Sequence, residues 1–95
     1  MKAQIPLWKI VEGIPRRDQV GTLDLPVTNL QYDPRKVSTG SVFFALPGLS
    51  RDGHECIGAA LERGAVAVIY QHPICQLPPV TALRVADTRK ALARA

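Results

Sequence analysis

Two short apolar runs, Ser41–Leu46 (SVFFAL) and Ala65–Tyr70 (AVAVIY), constrain this chain more than anything else in it. Each is continuous rather than alternating and is bordered by turn formers: Gly40 before the first, Pro47-Gly48 after it, and Gly64 before the second. Runs of that length with those borders suit strands buried on both faces better than helices. A helical pattern lies between them. Asp52 stands at a capping position with Glu55 three residues on, the capping-box arrangement with Asp as the cap. Cys56, Ile57, Ala60 and Leu61 then share one stripe, Glu62 and Arg63 face water, and Gly64 closes the helix in the left-handed conformation that glycine adopts at least cost. Strand, helix, strand at this spacing is a β-α-β unit, whose crossover is expected to be right-handed. The fold class that follows is α/β, a small sheet with a β-α-β crossover and flanking helices.

The remaining elements are read around that unit. Pro6 opens a short helix in which Leu7, Ile10 and Val11 form one apolar face, with Gly13 and Pro15 ending it. Gln19–Asp24 and Val27–Tyr32 read as strands, the second interrupted by Asp33-Pro34-Arg35 because proline disfavours a ladder position and restricts the residue before it. His72–Pro79 reads as a loop, Ala82–Ala86 as a further strand, and Asp87 as the cap of a helix through Leu92. That last helix meets no stop signal, as in a piece cut from a longer protein.

At 95 residues the chain is expected to be one domain, residues 1–95, with a small core. Its 46% hydrophobic and 21% charged residues argue against disorder. The formal net charge of +4 favours an anionic partner over a cationic one, or marks a mildly basic surface with no particular target. Arg16-Arg17 and Arg35-Lys36 are isolated pairs rather than a polybasic tail, and the aromatic content of 5% gives nucleic-acid binding no support from base stacking. Cys56, Cys75, His54 and His72 lack the spacing of a metal site, so none is expected. No stretch approaches the roughly 20 apolar residues of a membrane span, and the N-terminus is too polar for a signal peptide, so no membrane partner is expected and the cytoplasm is the expected location.

Two segments suit a ligand. The loop Pro47–Gly53 leads into a helix N-terminus, where unpaired N–H groups and the helix dipole favour an anion or the polar edge of a base; equally it reads as a tight turn before a capped helix. Tyr32-Asp33-Pro34-Arg35-Lys36 follows a predicted strand, the end at which open α/β sheets bind ligands. Arg35 offers a planar fork for phosphate and Tyr32 a flat surface for a base; alternatively Asp33 bonds its own backbone and Arg35 pairs with a carboxylate. There is no G-x-x-x-x-G-K-[ST] phosphate loop and no G-x-S-x-G elbow. His54 suits capping or packing as well as proton transfer, and Asp33 with Asp52 has no fixed separation. No catalytic set emerges, and the chain reads as a binder.

The order of these short strings is specific. Tyr32-Asp33-Pro34-Arg35-Lys36-Val37, Gly40, Val42–Gly48, Asp52-Gly53-His54, Ala59-Ala60, Gly64–Val68 and Asp87–Leu92 together resemble the opening domain of the Mur ligases, over about two-thirds of the chain. The D-T-R-K-A-L string points toward the MurE type, with the MurF type as the nearest rival. The resemblance implies a Mur ligase N-terminal-domain-like fold. It further implies that this domain holds the uridine end of UDP-N-acetylmuramoyl-dipeptide, that ATP and Mg²⁺ belong to an ATP-binding domain absent from this chain, and that the chain alone lacks ligase activity. Carried over by position, substrate binding falls to Tyr32, Pro34 and Arg35 at the strand end, and to Leu49, Ser50 and Arg51 in the loop before Asp52-Gly53. One departure stands out. The family's D-S-R is D-P-R here, so Pro34 withholds a hydroxyl and an N–H, a loss of roughly 1–3 kcal/mol wherever a buried partner stays unpaired. That departure also suits a stand-alone nucleotide-sugar-binding or regulatory module that kept the fold without the ligase role.

Overall fold

The computed structural model describes residues 4–46, 56–72 and 80–94. Its centre is a sheet of five strands: β2 (Arg16–Val20), β4 (Asn29–Gln31), β5 (Ser41–Phe44), β6 (Ala67–Tyr70) and β7 (Thr81–Val85), in the order β2-β7-β6-β5-β4. β4, β5, β6 and β7 run parallel, and β2 closes one edge antiparallel to β7. The β-α-β unit is present as expected, with α2 (Ile57–Glu62) between β5 and β6. The chain opens with β1 (Ile5–Pro6) and the single-turn α1 (Leu7–Ile10), β3 (Pro26–Val27) pairs with β1 in a separate two-stranded ribbon, and α3 (Thr88–Arg94) follows β7.

Both faces of the sheet are covered, which is why SVFFAL and AVAVIY are continuous rather than alternating. Val42, Phe44, Ala67, Ile69, Leu83 and Val85 face one side, packed with Leu7 of α1, Val11 at its C-cap, Val27 of the ribbon and Ala91 of α3. Phe43, Val68, Tyr70 and Ala82 face the other, under Ile57 and Ala60 of α2 and beside Val37. The period of two in side-chain direction assigns neighbours such as Phe43 and Phe44 to opposite cores, and both are fully buried.

Three local expectations shift. The strand anticipated at Gln19–Asp24 lies earlier, at Arg16–Val20. Its register ends with Val20 opposite Ala82, after which Thr81 donates its hydroxyl to the Thr22 carbonyl at 2.7 Å and turns the chain out of the sheet. Residues beyond serve α1 instead. Leu25 and Leu23 accept from the amides of Leu7 at 2.8 Å and Trp8 at 3.1 Å, two of the first-turn donors a helix cannot satisfy itself. The strand anticipated at Val27–Tyr32 is split at Thr28, whose amide donates to the Gly40 carbonyl at 2.9 Å, so that Val27 belongs to the ribbon and Asn29–Gln31 to the main sheet. Pro6 sits at the N-cap of α1 in extended conformation, one residue before the first helical position.

Other expectations hold. Asp87 caps α3, accepting from the Lys90 amide at 3.1 Å. Gly64 ends α2 at φ +106°, donating to the Leu61 carbonyl while Ala65 donates to that of Ala60, the paired bonds of a Schellman motif. The predicted capping box at Asp52 and Glu55 and most of the predicted loop at 72–79 lie outside the described residues. No described helix is long and apolar enough to cross a membrane.

Candidate functional site

Because β4, β5, β6 and β7 are parallel, the segments that leave their carboxyl ends emerge along one edge of the sheet. β4 and β5 are immediate neighbours there, with Gln31 paired to Phe43. Tyr32–Lys36 therefore starts beside the point where Ala45 and Leu46 leave β5 toward the loop carrying Leu49, Ser50 and Arg51. Ala45 is still tied to the sheet, its amide donating to Ile69 at 2.8 Å. Leu49, Ser50 and Arg51 themselves lie outside the described residues.

The turn after β4 is built from its own sequence. Asp33 is the N-cap of a 3₁₀ turn, Pro34–Lys36, and its carboxylate accepts the Arg35 amide at 2.9 Å. The same carboxylate takes the Arg35 guanidinium in a fork, Nε at 3.2 Å and Nη2 at 3.1 Å. The self-bonded turn, one of the two readings of this segment, is present. Bonding from the Arg35 side chain first, and from its amide next, holds the Asp33 carboxyl below its ordinary value, and Asp33 in return raises Arg35. The Arg35 side chain is 85% exposed against 21% for Asp33, so the carboxylate lies against the protein and the guanidinium outside it.

Pro34 occupies the first position of the turn, where an N–H has no partner within the turn and the proline ring presets φ. Its effect on local structure is therefore favourable. Tyr32, one residue before the cap, is 59% exposed, an aromatic surface presented to solvent at the strand tip. On the far side, Arg63 at the end of α2 donates Nη1 to the Arg35 carbonyl at 3.3 Å and fastens the turn to the helix. Sequence reading missed Arg63, since nothing in local spacing joins positions so far apart.

Further along the same edge, Gln71 after β6 accepts the Thr88 amide at 3.1 Å and hydroxyl at 3.3 Å on Oε1, and its carbonyl accepts Arg84 Nε at 3.3 Å. Asp18, Arg84 and Tyr70 stand in one row across β2, β7 and β6. Burial pushes the Tyr70 hydroxyl up, Asp18 adds to the rise, and Arg84 opposes it. A shallow apolar depression of about 150 Å³, lined by Ile14, Pro15, Val85, Ala86, Asp87, Lys90 and Ala91, opens beside α3. It lies at β7, three strand spacings or roughly 14 Å from β4, and involves none of the predicted binding residues. Among the described residues no group of three or more His, Cys, Asp or Glu is placed to hold a metal.

Residues 26–95 match the family described as "Mur ligase family, catalytic domain". The chain belongs to the Mur ligase family. It is similar to UDP-N-acetylmuramoyl-L-alanyl-D-glutamate–2,6-diaminopimelate ligases, at 44% identity over 79% of this chain for the Geobacter metallireducens protein and 36% over 90% for that of Clostridioides difficile. The Chlorobium phaeobacteroides ligase is 40% identical over 94% of this chain. This Mur ligase chain spans 15–18% of the length of those relatives. In fold it is similar to MurF of Acinetobacter baumannii, with TM-score 0.70 and 28% identity over 94% of this chain and 19% of that one. The Thermotoga maritima MurF solved with ADP matches at TM-score 0.60 and 29% identity over 70% of this chain and 15% of that one. This is a Mur ligase N-terminal-type domain. Its sequence sides with the MurE type, although the structural neighbours are MurF ligases.

Proposed function

We propose that this domain binds the uridine-diphosphate end of UDP-N-acetylmuramoyl-dipeptide, as the first domain of an ATP-dependent amide ligase of peptidoglycan synthesis. The observation that carries the proposal is the position of the Tyr32–Arg35 turn, at the carboxyl tip of a parallel strand directly beside the strand that leads to Leu49, Ser50 and Arg51. Tyr32 supplies an exposed ring for the base, and base–aromatic stacking contributes about 1–3 kcal/mol. The loop before Asp52-Gly53 offers Ser50 and Arg51 to the phosphates. The domain's work is to bind and orient. Its sequence has no G-x-x-x-x-G-K-[ST] phosphate loop, and on this reading ATP and Mg²⁺ belong to an ATP-binding domain of the full ligase. A second proposal, a nucleotide-sugar-binding or regulatory module without a ligase role, draws on the missing hydroxyl and N–H at Pro34.

Titrating the 95-residue chain with UDP-N-acetylmuramoyl-dipeptide, UDP and a short oligonucleotide tests these proposals. Saturable binding of the sugar nucleotide and of UDP, with none of the oligonucleotide, is expected. Arg51→Ala should weaken nucleotide binding and leave the far-UV spectrum intact. A flat titration with both nucleotides rejects the nucleotide site, and binding of UDP without any preference for the muramoyl-dipeptide form favours the second proposal.

A further inference from the structure

We infer that Arg35 is a positioning residue: clasped by Asp33, it fixes the turn that presents Tyr32 to the nucleoside, and it makes no contact with the phosphates. This rests on the nucleotide-binding proposal above, and it reverses the role that the guanidinium fork alone suggests.

Three donors of one residue converge on one carboxylate: the Arg35 amide at 2.9 Å, Nε at 3.2 Å and Nη2 at 3.1 Å. The Nε–Nη2 edge of the guanidinium is closed on the carboxylate, so a phosphate takes that edge only by displacing a bidentate, charge-assisted pair, and the compensated charge attracts it less at the remaining edge. An exposed ion pair is weak by itself. Here, however, the pair is attached to a turn whose other atoms are also fixed. Asp33 holds the backbone amide with the same carboxylate, Pro34 sets the backbone between them, and the Arg35 carbonyl is tied by Arg63 to the end of α2. Two residues after Arg35, Val37 is buried against the α2 face of the sheet. Asp33 is the less exposed partner, so the clasp is anchored on the protein side and the guanidinium folds back onto it. Tyr32 precedes this fixed point by one residue, so the turn fixes the backbone from which its exposed ring projects. The turn is therefore specific for the nucleoside, and the phosphates fall to other residues.

Uridine and UDP separate the two roles, because they differ only in the phosphates. Their affinities are measured for the 95-residue chain and for Asp33→Asn, Arg35→Ala and Arg35→Lys, with thermal unfolding confirming that each variant is folded. Positioning predicts that Asp33→Asn and Arg35→Ala weaken uridine and UDP by the same factor, about three- to tenfold for a lost hydrogen-bonded pair. Arg35→Lys should not rescue, since an ammonium keeps the charge but loses the fork. The inference is overturned if Arg35→Ala weakens UDP more than uridine and Arg35→Lys restores it, if Asp33→Asn tightens UDP by freeing the guanidinium, or if no variant changes either affinity. If the unmodified chain binds neither ligand, the nucleotide proposal itself fails and the positioning role falls with it. If it binds both and the variants behave otherwise than predicted, only the role of Arg35 is wrong.

Discussion

Gly64→Ala should be among the most damaging single-methyl changes available to this domain, and Gly58→Ala, six residues earlier in the same helix region, should do the opposite. Gly64 sits at φ +106°, outside the range that a side chain adopts cheaply. A Cβ placed there would lie 2.8 Å from Thr39 Cα and 3.0 Å from Thr39 N, both backbone atoms that cannot rotate away. Thr39 has little room to retreat. Its carbonyl accepts the Thr28 hydroxyl at 3.2 Å, and the next residue, Gly40, donates to the Gly64 carbonyl at 3.1 Å. The left-handed backbone costs about 1–2 kcal/mol, and forcing atoms into a packed site adds roughly 1–3 kcal/mol. Reduced freedom of the unfolded chain returns about 0.4–1 kcal/mol. The net is a loss on the order of 2–4 kcal/mol, which in a domain of this size lowers the Tm by roughly 10–25 °C. Gly58 is exposed, has an ordinary helical backbone, and a Cβ there meets nothing within 4 Å. Alanine at that position should stabilise by about 0.5–1 kcal/mol, raising the Tm by a few degrees. Thermal unfolding followed by far-UV circular dichroism, with urea titration as a second probe, reads both variants. A Gly64→Ala protein melting with the parent, or two variants shifting the same way, would refute the reasoning.

Ser41→Ala removes a fully buried hydroxyl that donates to Asn29 Oδ1 at 2.5 Å and accepts the Ser38 amide at 3.1 Å, so urea unfolding should show a loss of about 1–3 kcal/mol. Phe44→Ala empties a fully buried position at the sheet centre and should cost roughly 3–5 kcal/mol, a large share of a small domain's stability, read as a collapse of the urea midpoint. The Asp33 clasp has a defined pH dependence. Because Arg35 holds the Asp33 carboxyl below its ordinary value of 3.8, the clasp is complete above that value and is lost as pH falls through the lowered one. Proton release followed by NMR at Asp33 should show the lowered midpoint in the parent and a return toward the ordinary value in Arg35→Ala; an unchanged midpoint would contradict the clasp.

How much of this was legible in the sequence depends on whether the deciding contact is local. The buried strands at Ser41 and Ala65 were legible because coverage of both faces leaves a continuous apolar run, trimmed in the structure to Ser41–Phe44 and Ala67–Tyr70. So were the Gly64 stop, the Asp87 cap and the self-bonded Asp33 turn, each made within a few residues. β2 was misplaced because an edge strand of five exposed residues, Arg16–Val20, carries no hydrophobic alternation, and its position is set by pairing with β7 far along the chain. The break at Thr28 was invisible for a similar reason: Gly40, twelve residues on, takes its amide and divides one apparent strand between two sheets. In the site, the Arg63 latch on Arg35 spans 28 positions and the Gln71 contact with Thr88 spans 17, and no spacing rule reaches either.

The shortness of one connection explains why the candidate site sits on so fixed a frame. Parallel neighbours are usually joined by a crossover of roughly a dozen residues or more, commonly a helix. β4 and β5 are joined by residues 32–40 and a single 3₁₀ turn. This suffices because the strands themselves are only three and four residues long, so the return from carboxyl to amino edge covers roughly 13 Å at about 3.3 Å per residue. The consequence falls on Tyr32. The chain is held in the sheet at Gln31, clasped at Asp33 and Arg35, and buried again at Val37, which leaves no slack for the tip to swing. On the proposed nucleotide-binding role, a ligand arriving at this half of the site would meet a surface already in place and would spend little of its binding energy on ordering it. The cost of the arrangement is that the same nine residues must both close the fold and present the ring. Loosening the turn to gain adaptability would also loosen the parallel pairing of β4 on β5.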